Sequence, residues 1–140
     1  MNYKFSIVTE DELSTIKSQL LNFDTDIYHS IEWLLLNKDL QEGEIYCIFL
    51  EDEKNCAFFP LIKRKIKNTS FFDLITPYGY GGVAFKINTA TDFRENIFEL
   101  LKDCLSSTNC ISVFLRLHPL LNNNVKESEF VFGNGVTLAT

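Results

Sequence analysis

The sequence predicts an α+β fold in which a mixed, largely antiparallel sheet is flanked by helices, as a single domain over residues 1–140. Strand-like alternation and helix-like periodicity of apolar residues occur in separate runs, in the order β-α-α-β-β-β-α-β. Hydrophobic residues make up 46% and charged residues 23% of the 140 residues, a composition typical of globular proteins and unlike that of disordered chains. The length suits one hydrophobic core.

The first strand and the first helix are predicted within residues 3–22. Apolar and polar residues alternate from Tyr3 to Val8, which is typical of a strand with one buried face. Thr9 and Glu12 have the spacing of a capping box and predict the start of a helix that ends near Asn22. This helix has one apolar face, made by Leu13, Ile16, Leu20 and Leu21.

A second, shorter helix is predicted after residue 29. Ser30 is a favourable N-cap residue, and the helix is expected to run through Leu36. The polar residues from Asn37 to Gly43 then predict a turn. The chain therefore opens with one strand followed by two helices.

The middle of the chain predicts an antiparallel meander of three strands, over residues 44–51, 56–66 and 71–76. A glycine-rich loop at 76–82 leads to a helix over about 89–105, in which apolar residues recur every four positions: Phe93, Ile97, Leu101 and Leu105. A strand at 111–117 follows. The tail predicts a final hairpin, with strands 129–132 and 136–139 around the turn 133–135.

Charge and composition exclude several classes of function. The formal net charge of −6 argues against DNA or other nucleic acid as a partner, because phosphate binding requires clustered cations. The sequence has no leader pattern and no apolar run long enough for a transmembrane segment, so a cytoplasmic location is expected. The four cysteines form no Cys-x-x-Cys pair and lie far from both histidines in sequence, so reduced thiols and no metal site are expected.

Three motifs carry a resemblance to a known family. They are Tyr-His-Ser-Ile-Glu-Trp at 28–33, Thr-Pro-Tyr-Gly-Tyr-Gly-Gly at 76–82 and Phe-Leu-Arg-Leu-His-Pro-Leu-Leu at 114–121. Each motif alone is weak, but the second and third are more specific as a pair. They resemble segments of FemAB-like proteins, a group related to the GNAT acyltransferases that includes aminoacyltransferases of the peptidoglycan bridge. The similarity spans roughly residue 23 to the C-terminus.

The resemblance implies a GNAT-like fold, of the acyl-CoA N-acyltransferase type, and direct acyl transfer to an amine. Such proteins usually carry two GNAT-like lobes, so this chain is expected to be the N-terminal lobe of a longer protein and to be inactive alone. Its partner would be the missing C-terminal lobe or a second copy of the chain. The expected acceptor is a small molecule, either a cell-envelope precursor or a sugar nucleotide, and the donor for the full-length protein would be acyl-CoA or aminoacyl-tRNA.

No cofactor is expected in this lobe, because it lacks the phosphate loop of an acetyl-CoA site. That loop has an Arg/Gln-x-x-Gly-x-Gly/Ala pattern and opens a helix whose free N–H groups hold the pyrophosphate. The only glycine cluster here has no basic residue at the required spacing. Two alternatives stay open: a non-catalytic binding or dimerisation module, and a small stand-alone acetyl-CoA-dependent N-acetyltransferase.

The glycine-rich loop supplies five candidate substrate-binding residues: Tyr78, Gly79, Tyr80, Gly81 and Gly82. Glycine between two tyrosines lets a ligand approach the backbone closely, while the tyrosines stack on it. The same pattern is also typical of a tight turn with two half-buried aromatic residues. Both interpretations fit the sequence.

Arg116 and His118 stand where a buried-looking strand ends, a position at which sheets often place ligand-binding side chains. A guanidinium there suits a carboxylate or a phosphate. His118 is a candidate base, but it precedes Pro119 and has no evident partner, which favours a structural role.

The basic run at 63–67 contributes one further candidate, Arg64. Strand alternation places its three lysines on one side, as a solvated face, and Arg64 on the apolar side. A charge in that position needs a fixed anionic partner, which is Asp73, Glu32 or a ligand phosphate. Tyr28 and Trp33 are candidates to line the same cleft, although a tryptophan on a helix more often belongs to the core. No catalytic residue is identified.

Overall fold

A computed structural model describes residues 3–122, and within them the chain forms nine strands and four α-helices. The strands are β1 (Lys4–Val8), β2 (Phe23–Asp24), β3 (Glu44–Ile45), β4 (Cys47–Glu51), β5 (Cys56–Phe59), β6 (Ile62–Lys65), β7 (Phe72–Ile75), β8 (Ala84–Lys86) and β9 (Cys110–Phe114). The helices are α1 (Leu13–Ile16), α2 (Ile31–Leu40), α3 (Thr91–Glu95) and α4 (Ile97–Leu105). Short 3₁₀ turns flank α1 and precede α2.

The strands form two sheets. The first has the order β1-β4-β5-β8-β2 and is antiparallel throughout. The second has the order β3-β6-β7-β9, in which β7 and β9 are parallel and the other pairs antiparallel. The predicted α+β class, with a mixed and largely antiparallel sheet, is confirmed.

One long hairpin joins the two sheets. Ile45 lies opposite Ile62 in the second sheet. The same register continues into the first sheet, where Ile48 lies opposite Phe59. Between the two pairs the Tyr46 N–H donates to the Leu61 carbonyl at 2.9 Å. Pro60 and Leu61 belong to neither β5 nor β6, so the ladder is interrupted at this point. The predicted strands 44–51 and 56–66 are therefore each divided in two.

The β4–β5 part of this hairpin is buried on both faces, so its side chains alternate between two apolar clusters. Ile48 and Phe59 pack in the cluster that contains α4, and Phe49 and Phe58 pack in the cluster that contains Leu34 of α2. All four side chains are at most 3% exposed. The predicted apolar face of the third helix is confirmed, because all four of its periodic residues are buried in the first cluster.

The predicted first helix is wrong in length. In place of one helix to Asn22, the chain forms a 3₁₀ turn, the four-residue α1 and a second 3₁₀ turn. Thr9 makes no side-chain cap hydrogen bond. The Thr15 hydroxyl donates to the Glu12 carbonyl at 2.6 Å, and such local bonds by Ser and Thr compete with helical hydrogen bonds. Of the predicted apolar face, only Leu13 and Ile16 are buried, whereas Leu21 is 79% exposed.

The second helix begins as predicted but ends later. The Ser30 hydroxyl accepts the Trp33 N–H at 3.1 Å, as an N-cap should. The helix then continues to Leu40 through Asn37, which was predicted to lie in a turn. Asn37 is 1% exposed and is held by a loop that lies far away in sequence.

The third predicted helix is divided at Asn96 into α3 and α4. The predicted strand 111–117 forms as β9 but ends at Phe114. The strands β2 and β8 were not predicted, because each is too short to show alternation. The predicted final hairpin lies outside the described residues.

None of the helices in residues 3–122 is long and apolar enough to cross a membrane.

Candidate functional site

A cavity of about 380 Å³ lies at the carboxyl ends of β7 and β9. Its wall is formed by the end of α2 and by residues of β6, β7, β9 and the segments that follow them: Leu40, Gln41, Glu42, Arg64, Ile75, Thr76, Tyr78, Phe114 and Arg116. Three of the predicted site residues, Arg64, Tyr78 and Arg116, therefore meet around one space. Ligands commonly bind at this end of parallel strands.

Arg64 is neutralised within the protein. It lies directly across from Asp73 in the antiparallel β6–β7 pair, and its Nε and an Nη donate to the two carboxylate oxygens at 3.0 and 3.2 Å. Of the three anionic partners considered for Arg64, the structure identifies Asp73. Both side chains are partly solvated, so the pair fixes the direction of the guanidinium more than it stabilises the fold.

Two of the neighbouring lysines have partners. Lys63 Nζ lies 4.5 Å from the ring centre of Phe72, a cation–π contact, and Lys65 pairs with Glu44 at 3.8 Å. The prediction of a purely solvated lysine face is therefore wrong for Lys63, which is half-buried.

Arg116 is half-buried and has no carboxylate within 4.0 Å among residues 3–122. Its backbone N–H donates to the Thr76 hydroxyl at 3.1 Å, which ties the ends of the parallel strands together. Its guanidinium carbon lies 5.9 Å from the ring centre of Phe114. Arg116 is thus a positioned cation whose charge the described part of the chain leaves unpaired.

Gly79 makes room for a tyrosine ring of the same protein. Gly79 has φ +95°, and a Cβ there would lie 2.3 Å from the Tyr28 ring. The Tyr28 ring packs edge-on against Trp33 and Tyr80, with ring centres 5.6 and 6.3 Å away. The close approach that Gly79 permits is made by Tyr28, which agrees with the tight-turn interpretation of this loop.

Helix α2 holds the other side of the same loop. Trp33 Nε1 donates to the Tyr78 carbonyl at 2.7 Å, and the Tyr78 N–H donates to Asn37 Oδ1 at 3.3 Å. Asn37 in turn donates to the Trp33 carbonyl at 2.9 Å. Tyr28 and Trp33 therefore do not line the cavity; they support the backbone from which the 56%-exposed Tyr78 projects.

Two stacked histidines connect the three motif segments. His29 Nδ1 accepts the Asp26 N–H at 2.9 Å, so its proton is on Nε2, which donates to the Gly81 carbonyl. Burial lowers the pKa of His29 below its usual value, which keeps the ring neutral. The His118 ring stacks on it with centres 6.3 Å apart.

His118 has both ring nitrogens occupied. Nδ1 accepts the backbone N–H groups of Leu120 and Leu121 at 3.1 Å each, and Nε2 donates to Asp26 Oδ2 at 2.9 Å. The hydrogen bond from His118 lowers the pKa of Asp26. A histidine arranged in this way has no free nitrogen with which to accept a substrate proton. The expectation that His118 lacks a partner is wrong, and the structural role predicted for it fits these contacts.

Asn122 completes the support of the glycine-rich loop. Its Oδ1 accepts the N–H groups of Val83 and His118 at 3.2 and 3.0 Å, and its Nδ2 donates to the Val83 carbonyl at 2.6 Å. Gly82, with φ +55°, lies against it, and a Cβ there would be 2.2 Å from Asn122 Oδ1. The 76–82 and 114–121 motifs are therefore joined through a buried amide.

Sequence reasoning missed several residues of this site, namely Asp26, His29, Asn37, Gln41, Glu42 and Asn122. Three of them, His29, Asn37 and Asn122, are buried and polar. His29 lies in the 28–33 motif, and Asn37 and Asn122 each follow two leucines, but none of these features says what the residues contact.

The thiols offer no reactive group near the cavity. All four cysteines are free, with Cys47 and Cys56 buried and Cys104 and Cys110 half-buried. Burial raises the pKa of both Cys47 and Cys56 to about 12, which keeps them protonated. Among residues 3–122, no three His, Cys, Asp or Glu side chains gather as a metal site.

Comparison with protein-family models, with curated proteins and with solved structures gave no match to this chain.

Proposed function

We propose that this chain is the N-terminal lobe of a FemAB-like, GNAT-related N-acyl or aminoacyl transferase. Its part in the reaction is to bind the amine acceptor, a cell-envelope precursor or a sugar nucleotide, in the cavity at the ends of β7 and β9. The observation that carries the proposal is the convergence of Arg64, Tyr78 and Arg116 on that cavity, since two of the three belong to the motifs behind the resemblance.

The order of elements supports the proposed fold family. The chain follows the expected β-α-α-β-β-β-α-β order when the short strands β2 and β8 are set aside and the broken turns at 10–22 are counted as the first helix. The pairs β3–β4, β5–β6 and α3–α4 then each count as one interrupted element. Helices α3 and α4 connect the parallel strands β7 and β9, as a helical crossover between parallel strands must.

The start of α3 argues against a CoA pyrophosphate site at this helix. The Ala90 N–H at this helix start already donates to Asn55 Oδ1 at 2.7 Å, and Asp92 places a carboxylate in the first turn. A pyrophosphate needs free N–H groups and would be repelled by that carboxylate. The acyl donor is therefore assigned to the rest of the proposed full-length protein.

In the proposed reaction the neutral amine of the acceptor attacks the acyl carbonyl, and the new C–N bond replaces the C–S bond of acyl-CoA or the C–O ester bond of aminoacyl-tRNA. The thiol or the ribose hydroxyl leaves with the proton that the amine gives up, so catalysis depends on positioning and on stabilisation of the developing oxyanion. What this lobe contributes is the positioning. Arg116 holds an anionic part of the acceptor, and the rigid loop behind Tyr78 fixes one wall of the cavity.

The test is an acyl-transfer assay on the native protein that carries this chain, isolated from its source with an antibody. We expect a species of more than about twice the mass of these 140 residues, able to transfer an acyl group from acyl-CoA or aminoacyl-tRNA to an amine acceptor. Arg116→Gln in that protein should raise KM for the acceptor by roughly tenfold, while the exposed Lys67→Gln serves as a matched control. A native protein that transfers no acyl group from either donor would overturn the proposal.

A non-catalytic dimerisation module is the second candidate, favoured by one edge of the second sheet. Within residues 3–122, β9 pairs only with β7, and Ile111 on it is 59% exposed. Open strand edges readily recruit another chain. Sedimentation of the purified chain would show a dimer that Ile111→Lys dissociates; a monomer at high concentration would exclude this candidate.

Heat released on titration of the chain with acetyl-CoA would instead favour the remaining alternative, a stand-alone acetyltransferase.

A further inference from the structure

Both histidines of the chain, His29 and His118, lie in one buried cluster beside the glycine-rich loop. They are 1% and 7% exposed, and their rings stack on each other. Each ring accepts backbone N–H groups at Nδ1 and donates from Nε2, so each holds a single proton. The hydrogen bonds of the cluster therefore require two neutral rings.

His29 is the ring that holds the loop. Its Nε2 donates to the Gly81 carbonyl, and its Nδ1 accepts the Asp26 N–H at 2.9 Å. A carbonyl only accepts and a backbone N–H only donates, so the opposite tautomer would lose both hydrogen bonds. The one form of the ring that satisfies both neighbours is the neutral form with its proton on Nε2.

A second proton on His29 is incompatible with this arrangement. It would bind at Nδ1, where its hydrogen would point at the hydrogen of the Asp26 N–H. The resulting cation would also lie against the His118 ring in a site with almost no access to solvent. Burying a charge without a partner is costly, so the protonated ring is driven out of its site.

The acidic groups nearby do not offer the charged ring a partner in its present position. Among residues 3–122, no carboxylate oxygen lies within 4.0 Å of a His29 nitrogen. Both Asp26 oxygens already accept hydrogen bonds, from a backbone N–H at 2.6 Å and from His118 Nε2 at 2.9 Å. On α2, Glu32 is exposed and pairs with a lysine at 3.1 Å. From the loop, Tyr80 packs on the neighbouring Tyr28 ring.

The loop that His29 holds also carries Tyr78 of the cavity wall. Tyr28, next to His29 in the chain, fills the space beside Gly79, where a Cβ would lie 2.3 Å from its ring. When the His29 ring leaves its site, the Gly81 carbonyl loses its donor and Tyr28 moves with the same turn. Two of the contacts that hold the loop are therefore lost together.

We propose that protonation of His29 switches the glycine-rich loop from a held state to a released state. In the held state the neutral ring binds Gly81 and the wall formed by Tyr78 is in place. In the released state the ring carries a proton at Nδ1 and has left the cluster. The consequence for the acceptor rests on the proposed function: binding in the cavity at the ends of β7 and β9 weakens in the released state.

The direction of the switch with pH follows from linkage. Burial is the largest influence on the pKa of His29 in the held state and lowers it, and the stacked His118 lowers it further. The hydrogen bond to Gly81 and the charge of Asp26 raise the pKa but do not offset the burial. The released ring has the ordinary pKa of histidine, so the released state takes up a proton that the held state does not, and its population rises as the pH falls.

The test is an NMR titration of the ¹⁵N-labelled purified chain from about pH 8 to about pH 5, at a temperature at which the chain stays folded. Long-range ¹H–¹⁵N spectra of the imidazole rings report the protonation of each histidine nitrogen. The indole N–H of Trp33 reports on the loop, because it donates to the Tyr78 carbonyl at 2.7 Å. The amides of Ile48 and Phe59, in the central hairpin, report on the rest of the fold.

At about pH 8 we expect His29 to carry its proton on Nε2 alone. As the pH falls, the Trp33 indole signal and the Gly81 and Gly82 amide signals should shift with one midpoint. That midpoint should lie below 6.5, the ordinary pKa of histidine, and coincide with the protonation of His29 Nδ1. The hairpin amides should not change over the same range.

Two variants connect the change to its residues. His29→Gln has no ring to titrate, so its Trp33 signal should lose the pH dependence. Asp26→Asn keeps the backbone N–H but removes the charge that favours the imidazolium, so the midpoint should move to lower pH. Asp103→Asn, on the exposed side of α4, removes the same charge away from the cluster and is the matched control, with an unchanged midpoint.

Three results would overturn this inference. They are a His29 Nδ1 that takes up no proton before the chain unfolds, a Trp33 signal that does not follow this proton, and hairpin amides that change together with the loop. If His29→Gln fails to fold, the titration of the unmodified chain decides alone. The proposed function is tested separately, by acyl transfer in the native protein. A native protein without transferase activity whose loop still follows His29 would disprove the transferase proposal alone.

Discussion

In the glycine-rich loop that leads away from the cavity, Gly82 has a backbone conformation and a close contact that favour glycine. Gly82 combines φ +55° with direct contact to Asn122, whereas its neighbour Gly81 has no positive φ and a hypothetical Cβ no nearer than 3.3 Å to another atom. Substituting each of the two adjacent glycines therefore distinguishes two costs. One is the cost of backbone strain and steric overlap, and the other is the cost of losing a glycine in itself.

Gly82→Ala is expected to lower the free energy of unfolding by about 3 kcal/mol, since it adds left-handed strain to an overlap with a buried amide. Gly81→Ala should cost less than about 1 kcal/mol. Urea unfolding of both variants against the unmodified chain measures the difference. Equal losses would show that Asn122 moves aside at little cost.

His29 gives the protein a pH-dependent stability with a predictable sign. Burial lowers the pKa of its folded-state imidazole below the ordinary 6.5, so below that pH the unfolded chain binds a proton that the folded chain does not. The free energy of unfolding should therefore be highest above about pH 7 and fall as the pH decreases through 6.5. The lowered pKa of Asp26 acts in the same direction, but only as the pH falls below its ordinary 3.8.

Urea unfolding at about pH 8, 7, 6 and 5 measures how the free energy of unfolding depends on pH. His29→Gln cannot titrate, so the variant should be less stable at neutral pH and lose less stability between about pH 7 and 5. Identical losses in the variant and in the unmodified chain would mean that His29 is not the group responsible.

The residue contacts differ in how far the sequence could predict them. The Arg64–Asp73 pair follows from strand alternation and a short turn, because the two residues are nine positions apart on paired strands. The contact of His29 with Gly81 joins residues 52 positions apart and depends on how the loop folds back on α2. The local sequence pattern does not show which residues far apart in the chain come into contact. Only the presence of a buried polar residue could have been anticipated.

Among the elements, the helices show where local propensity decides the structure and where tertiary contacts override it. Ser30 starts α2 by a local hydrogen bond, which the sequence predicts. Its end does not follow from propensity, since Asn37 stays helical only because it binds the loop at Tyr78. The sequence therefore predicts the start of α2 better than its end.

Ser30→Ala is expected to lower the free energy of unfolding by about 1 kcal/mol, because the Trp33 N–H loses its partner at the start of the helix. Thr9→Ala is the matched control, since Thr9 occupies an N-cap position but makes no side-chain cap bond, and it should cost less than about 0.5 kcal/mol. Thermal unfolding followed by circular dichroism distinguishes the two. A loss with Thr9→Ala as large as with Ser30→Ala would contradict the assignment of the cap.

For the whole molecule, the central hairpin is the structural link between the two apolar clusters. Phe58 and Phe59 are consecutive, fully buried and on opposite faces of β5, so each belongs to a different cluster. The apolar run at 56–61 predicts a buried strand, but a run without alternation does not indicate which residue faces which layer. That assignment needs the helices in place, α2 on one side and α4 on the other.

Because both clusters pack against the same hairpin, residues 3–122 should unfold in one cooperative step. Phe58→Ala and Phe59→Ala should each lower the free energy of unfolding by about 3–5 kcal/mol, and Phe58→Leu and Phe59→Leu by less if the alanine variants fail to fold. Fluorescence of Trp33, the only tryptophan, reports on the α2 side, and far-ultraviolet circular dichroism reports on the whole chain. The two signals should share one midpoint in every variant, since removing either ring loosens a strand that both clusters require. If the Phe59 variants instead unfold by circular dichroism before the Trp33 signal changes, the α4 cluster is an independent folding unit, and the hairpin does not couple the two sides of the molecule.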